Sequence, residues 1–148
     1  SSHLWASALK VAMAHLKSSM QSMRRLRLKL HREIFNAKDD DGDKPIHKAC
    51  LHGNPTCLQW ILDKWIATGQ SFDIDEPDHS GCTPLYLVCY KGFLGAEGVG
   101  GNSPEVKQKR LETVEILLKH KANVNFLTPK LRMSPLHWAA YQGDSEMV

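Results

Sequence analysis

Ser134-Pro135-Leu136-His137-Trp138-Ala139-Ala140 is the stretch on which the fold turns, because it returns twice upstream as Lys44-Pro45-Ile46-His47-Lys48-Ala49-Cys50 and Thr83-Pro84-Leu85-Tyr86-Leu87-Val88-Cys89. A glycine stands eight residues after each proline: Gly53, Gly92 and Gly143. Each copy predicts a short helix. Thr83 and Ser134 supply a capping hydroxyl. Proline suits the first helical position, where its missing N–H has no partner to lose. Ile46, Ala49 and Cys50, then Leu85, Val88 and Cys89, then Leu136, Ala139 and Ala140 form one buried stripe at i, i+3 and i+4. The glycine ends the helix in a left-handed conformation.

Five residues past Gly53 a second apolar stripe begins with Leu58, Ile61 and Leu62, and the same spacing returns as Val114, Leu117 and Leu118. After Gly143 the fifth residue is Val148, so the third unit stops inside its second helix. A recurrence of this length signals a solenoid of two-helix units. The motif resembles the ankyrin repeat, whose signature includes T-P-L-H-x-A, and Lys121-Ala122-Asn123-Val124-Asn125 is similar to the segment leading into the next finger. The expectation is an all-α ankyrin-repeat solenoid of about two and a half units over 38–148, behind a long N-terminal amphipathic helix over 1–37. The units run about 39–77, 78–126 and 127–148. The resemblance implies protein binding rather than catalysis, and an intracellular, cytoplasmic or cytoskeletal scaffold or adaptor.

The departures from the repeat are specific. Pro45 and Pro84 lie 39 residues apart and Pro84 and Pro135 lie 51 apart, against a 33-residue ankyrin unit. Six extra residues are expected near Trp65–Phe72 and eighteen near 93–109, where Gly95-Ala96-Glu97-Gly98-Val99-Gly100-Gly101-Asn102-Ser103-Pro104 reads as a flexible loop. Lys44 stands where a hydroxyl cap belongs, and Tyr86 stands where the repeat has histidine. Fewer than three full units, and a start at Ser1 rather than Met, predict a piece of a longer protein or of an assembly.

Candidate chemistry thins out on inspection. His47, Cys50, His52 and Cys57 lie within eleven residues, yet no C-x-x-C pair is present, and Cys50 is in register with the core positions Cys89 and Ala140. The resemblance assigns the histidine at position 47 a bond to the turn. Asp39-Asp40-Asp41-Gly42-Asp43 misses the calcium-loop spacing, because Gly42 at position six puts Ala37 at one and Lys48 at twelve. It reads instead as a turn. No nucleophile elbow, phosphate loop or kinase signature occurs, so neither a catalytic residue nor a cofactor or metal site is expected. The four cysteines are expected to be free thiols in a reducing compartment.

Two partner-binding surfaces are expected. The resemblance implies a concave groove of fingers and first helices. Leu51 and His52, Tyr90 and Lys91, and Tyr141 and Gln142 precede the three glycines and should face it, with Trp138 nearby. The second surface is the N-terminal helix. Its apolar stripe is Leu9, Ala12, Met13, Leu16, Met20, Met23, Leu26, Leu30 and Ile34. Residues 1–35 carry seven Lys/Arg, including Arg24 and Arg25, against Glu33 alone, while the net charge of the whole chain is only +3. Such a helix suits calmodulin, an acidic protein surface or an acidic membrane, or else its stripe covers the open end of the first repeat. No nucleic acid is expected, because the repeats are acidic. The alternative is a regulatory ankyrin segment of a longer channel, palmitoyltransferase or kinase.

Overall fold

The computed structural model describes residues 2–94, 103–129 and 131–141; the side chains of residues 2, 91–94, 138 and 141 fall outside the description. Six α-helices follow in order: α1 Ser2–Asn36, α2 Pro45–Leu51, α3 Pro55–Ala67, α4 Pro84–Leu94, α5 Pro104–Lys119 and α6 Pro135–Tyr141. No strand occurs among the described residues. The helices stack in two layers. One holds α2, α4 and α6, and the other holds α1, α3 and α5.

The local chemistry is that of the repeated motif. Thr83 Oγ1 accepts the Tyr86 amide at 3.2 Å and Ser134 Oγ accepts the His137 amide at 3.3 Å. Each satisfies a donor that the first helical turn leaves open. Pro45, Pro84 and Pro135 open their helices. Gly53 turns between α2 and α3 at φ +58°, where a Cβ would be strained. Asn54 then caps α3 by accepting the Cys57 amide at 3.0 Å. Leu58, Ile61 and Leu62 are buried, as are Leu85 through Cys89, because α4 is covered on both sides.

Three expectations change. First, α4 runs through Gly92 to Leu94 rather than ending at the glycine. With α5 starting at Pro104 behind the cap Ser103, residues 95–102 of the expected loop lie outside the described residues. Second, the buried stripe of α5 is Arg110, Thr113, Val114 and Leu117, whereas Leu118 is 44% exposed. The Thr113 hydroxyl satisfies itself by donating to the Lys109 carbonyl at 2.7 Å. Third, Leu136 is 51% exposed beside the buried Ala139. The sides of α5 and α6 that carry Leu118 and Leu136 have no described helix over them.

The six-residue excess of the first unit is accounted for. From Ile61, α3 continues six residues to Ala67, whereas from the matching Leu117, α5 continues two to Lys119. The difference is one added turn, and it carries the buried Trp65. Two further residues lengthen the loop between the left-handed Gly69 and Asp73, compared with Lys121 and Asn123.

That added turn receives α1. Phe35 is 4% exposed and packs its ring against Trp65 at 5.5 Å, Trp60 at 5.7 Å and His31 at 5.7 Å. The stripe expected to cover the repeat does not do so. Leu9, Met13, Leu16, Met20, Met23, Leu26, Leu30 and Ile34 are all exposed. Phe35, which the stripe omits, makes the contact from an adjacent face together with half-buried Leu28, His31 and Arg32.

Candidate functional site: a concave groove between fingers and first helices

Three fingers repeat one hydrogen-bond pattern. The Asp39 amide donates to the Asp43 carbonyl (2.9 Å), and the Asp43 amide returns to Asp39 Oδ1 (2.9 Å). Asp78 and Cys82 do the same, at 2.9 Å in both directions. Thr128 and Met133 follow at 3.1 and 3.2 Å, with the threonine hydroxyl standing in for the carboxylate. The residue before the last is left-handed in each: Gly42, Gly81 and, in the third, Arg132 at φ +50°. Short polar side chains that fold back on their own backbone fix such turns.

The histidine of the motif locks finger to helix. His47 Nδ1 accepts the Lys44 amide at 3.0 Å, which requires its proton on Nε2, and Nε2–H donates to the Glu76 carbonyl at 2.8 Å. Both ring nitrogens are thereby committed, so His47 is a structural bolt rather than a metal ligand. His137 repeats half of this by accepting the Ser134 amide at 2.8 Å. Lys44, in place of the hydroxyl cap, reaches Glu76 at 2.5 Å and Asn36 Oδ1 at 3.3 Å, tying α1 to the following loop.

Between the fingers and the first helices lies a trough of about 990 Å³. Leu51, Tyr86, Leu87 and Tyr90 form its floor, and Asp41, Asp78, His79 and Leu131 stand along its rim. Tyr86 and Tyr90 stack at 5.9 Å and 12°. Lys48 Nζ sits 3.3 Å from Asp39, 3.4 Å from Asp43 and 3.8 Å from Asp41. These three carboxylates come close enough together to suggest a metal, and the cation among them is that ammonium. Asp43 also takes His79 Nδ1 at 2.7 Å, which links the first finger to the second. Burial alone would raise the Asp43 carboxyl, but the hydrogen bonds from His79 and Lys48 outweigh it and hold the group below the usual carboxylate range. The bond from the Asp43 amide lowers Asp39. The hydrogen bond to Asp43 raises the His79 imidazole, and that to Asp39 raises Lys48.

Of the residues singled out from the sequence, Leu51 and Tyr90 line the trough. His52 is exposed as the C-cap of α2 and is not in the lining. Arg24 and Arg25 are exposed on α1, away from it. The side chains of Lys91, Trp138, Tyr141 and Gln142 lie outside the described residues. Tyr86, Leu87, Lys48 and His79 were missed. The one available signal was the motif register itself, which puts Tyr86 and Lys48 within or beside the histidine position.

A family model described as ankyrin repeats (many copies) matches residues 9–62 and 106–148. The chain belongs to the ankyrin-repeat family. The match begins inside α1, whose last turns pack on α3 as α3 packs on α5. Among relatives, the mouse B-cell lymphoma 3 protein homolog is 34% identical over 106 residues, which is 60% of this chain and 23% of that protein. The chicken nuclear factor NF-kappa-B p105 subunit is 28% identical over 124 residues, covering 84% of this chain and 11% of the relative. The fruit-fly tyrosine-protein kinase Shark is 25% identical over 114 residues, covering 77% and 10%. The chain thus spans a quarter or less of the length of each. Ankyrin repeats bind proteins and are generally non-catalytic, and no described helix is long and apolar enough to cross a membrane.

Proposed function

We propose that this chain is a non-enzymatic adaptor module whose trough holds an apolar segment of a protein partner that also carries basic residues. The observation that carries this reading is the trough itself. Half-buried Tyr90, stacked on the buried Tyr86, and half-buried Leu51 offer an apolar floor under a rim bearing Asp41 and Asp78. Aromatic and aliphatic anchors in a desolvated centre provide most of the energy of such interfaces, and rim charges select the partner. Four cysteines outside any assigned disulfide, two of them buried, fit a reducing intracellular compartment.

The test is affinity purification with mass spectrometry, comparing the parent chain with the Leu51→Ala/Tyr90→Ala double variant. Proteins held by the trough should drop at least tenfold in the variant while its circular dichroism stays that of the parent. An unchanged set of captured proteins would remove the trough as the site.

A second reading follows from coverage. Because the relatives are several times longer, and one is named a tyrosine-protein kinase, the same trough would serve as the regulatory segment of a larger polypeptide. The full-length open reading frame decides between the two.

A further inference from the structure

The uncovered residues of α1 fall into a heptad register that the repeats do not use. With Leu9 at position d, the d positions are Leu9, Leu16, Met23 and Leu30, and the a positions are Ala6, Met13, Met20, Arg27 and Ile34. All are exposed, the large apolar ones between 47% and 71%. An apolar a/d seam over four heptads, widened by Trp5, Ala12 and Leu26 at g and interrupted at a by Arg27, is a face on which a second helix can pack in coiled-coil fashion, a single polar a position being a known register device. The helix is about 52 Å long at 1.5 Å per residue, and the packing at Phe35 holds only its last turns. Most helical stability in proteins comes from packing an amphipathic face, so this seam calls for a cover.

The flank of the seam identifies the cover. The e positions are His3, Lys10, Lys17, Arg24 and His31, basic or imidazole in every heptad, and the g positions hold one acid, Glu33. Among the described residues Lys10, Lys17, Arg24 and Arg27 have no ion-pair partner. We propose that α1 is one half of a heterotypic coiled coil whose other strand is an acidic amphipathic helix of another protein. Carboxylates flanking that strand's own apolar seam would pair with the e row, and one at an a position would meet Arg27. Charges at e and g, and a polar a position, are what set partner choice in coiled coils. A second copy of this chain fits poorly. In parallel it sets Arg27 against Arg27, and antiparallel it sets one basic e row against the other. This surface is separate from the trough and stands or falls independently of it.

The experiment uses the 148-residue chain with two synthetic four-heptad peptides. Both carry Leu at a and d; one has Glu at every e and g, the other Lys. Fluorescence anisotropy should show the acidic peptide binding at least tenfold tighter than the basic one, with the gap narrowing as salt rises. Leu16→Glu/Met23→Glu should abolish binding. Lys10→Glu/Lys17→Glu/Arg24→Glu should reverse the preference between the peptides. Both variants leave the repeat core untouched, so its thermal melt, unchanged from the parent, guards against misfolding. Equal affinity for the two peptides, or none for either, overturns the proposal. So does self-association of the chain in sedimentation equilibrium that Leu16→Glu/Met23→Glu removes, or tighter binding to phosphatidylserine vesicles than to the acidic peptide.

Discussion

Replacing Phe35 by alanine tests how α1 is held. Phe35 is 4% exposed and touches three rings. A buried aromatic side chain removes at least ~150 Å² from water, worth about 4 kcal/mol at ~25 cal/mol/Å². Alanine keeps roughly one carbon of that, about 0.8 kcal/mol. The residual cost is about 3 kcal/mol, at the low end for Phe→Ala because an end helix relaxes more easily than a central one. For a chain of this size that is a fall in Tm of about 10 °C, read by circular dichroism. The control is Ile34→Ala one residue away. Ile34 belongs to the expected stripe but is 53% exposed, so its loss should cost within about 0.5 kcal/mol. The two variants separate the docking face from the heptad seam. If Phe35→Ala melts within 2 °C or so of the parent, or Ile34→Ala falls as far as Phe35→Ala, the assigned docking face is wrong.

Gly53→Ala should destabilise by about 1–2 kcal/mol in urea unfolding, because Gly53 sits at φ +58° and a Cβ there would come 3.0 Å from Arg110 Cγ. His47→Ala should cost about 2–4 kcal/mol in the same assay, since it leaves the Lys44 amide and the Glu76 carbonyl without the ring that joins them. The finger cluster gives a pH window. His79 is raised above 6.5, so its contribution is complete below 6.5 and is lost as pH rises through its folded value. Asp43 is lowered below 3.8, so its contribution is complete above 3.8 and is lost as pH falls through its folded value. Urea midpoints should therefore be flat between these limits, and His79→Gln should remove the decline on the alkaline side and shrink that on the acid side, because the His79 hydrogen bond helps to hold Asp43 low. Iodoacetamide at pH 8 should modify exposed Cys57 first and Cys82 later, because partial burial pushes the Cys82 thiol up to about 11; buried Cys50 and Cys89 should react only on unfolding, as peptide mass mapping will show.

What the sequence disclosed and what it hid follow from the range of the forces involved. The capping hydroxyls of Thr83 and Ser134, the prolines, the turn at Gly53 and the fingers at Asp39 and Asp78 are settled within five residues of chain, so local pattern reveals them. The α1 stripe was visible for the same reason, but periodicity reports that a face is apolar and not what meets it. Phe35 stands beside Ile34, and only the extra turn of α3, with Trp65 on it, decides which of the two is covered. The C-terminal boundary of the long insertion was hidden because Pro104 and Ser103 read equally as loop and as helix start; Ser103 is in fact the cap, accepting the Val106 amide at 3.2 Å. The trough was half legible. Leu51 and Tyr90 precede a glycine and Tyr86 stands at the motif's histidine position, but His79 is brought to the rim by the clamp of the second finger on the first through Asp43.

The two-layer stack also bears on how an adaptor of this kind would work. The trough is built from the fingers and from the layer of α2 and α4, while α1 belongs to the layer of α3 and α5. Lys44 bridges the layers, binding Asn36 at the end of α1 and Glu76 in the loop that also receives His47. The rim of the trough carries Asp41 and Asp78, whereas the flank of the seam carries Lys10, Lys17 and Arg24. Ligands suited to the two surfaces therefore have opposite charge and do not compete for the same place. On these grounds we expect occupancy of one surface to leave the affinity of the other unchanged, since no titratable or apolar residue is shared between them. A change of more than about threefold in acidic-peptide affinity on filling the trough would instead mean that Lys44 transmits a shift between the layers, a coupling of about 0.7 kcal/mol.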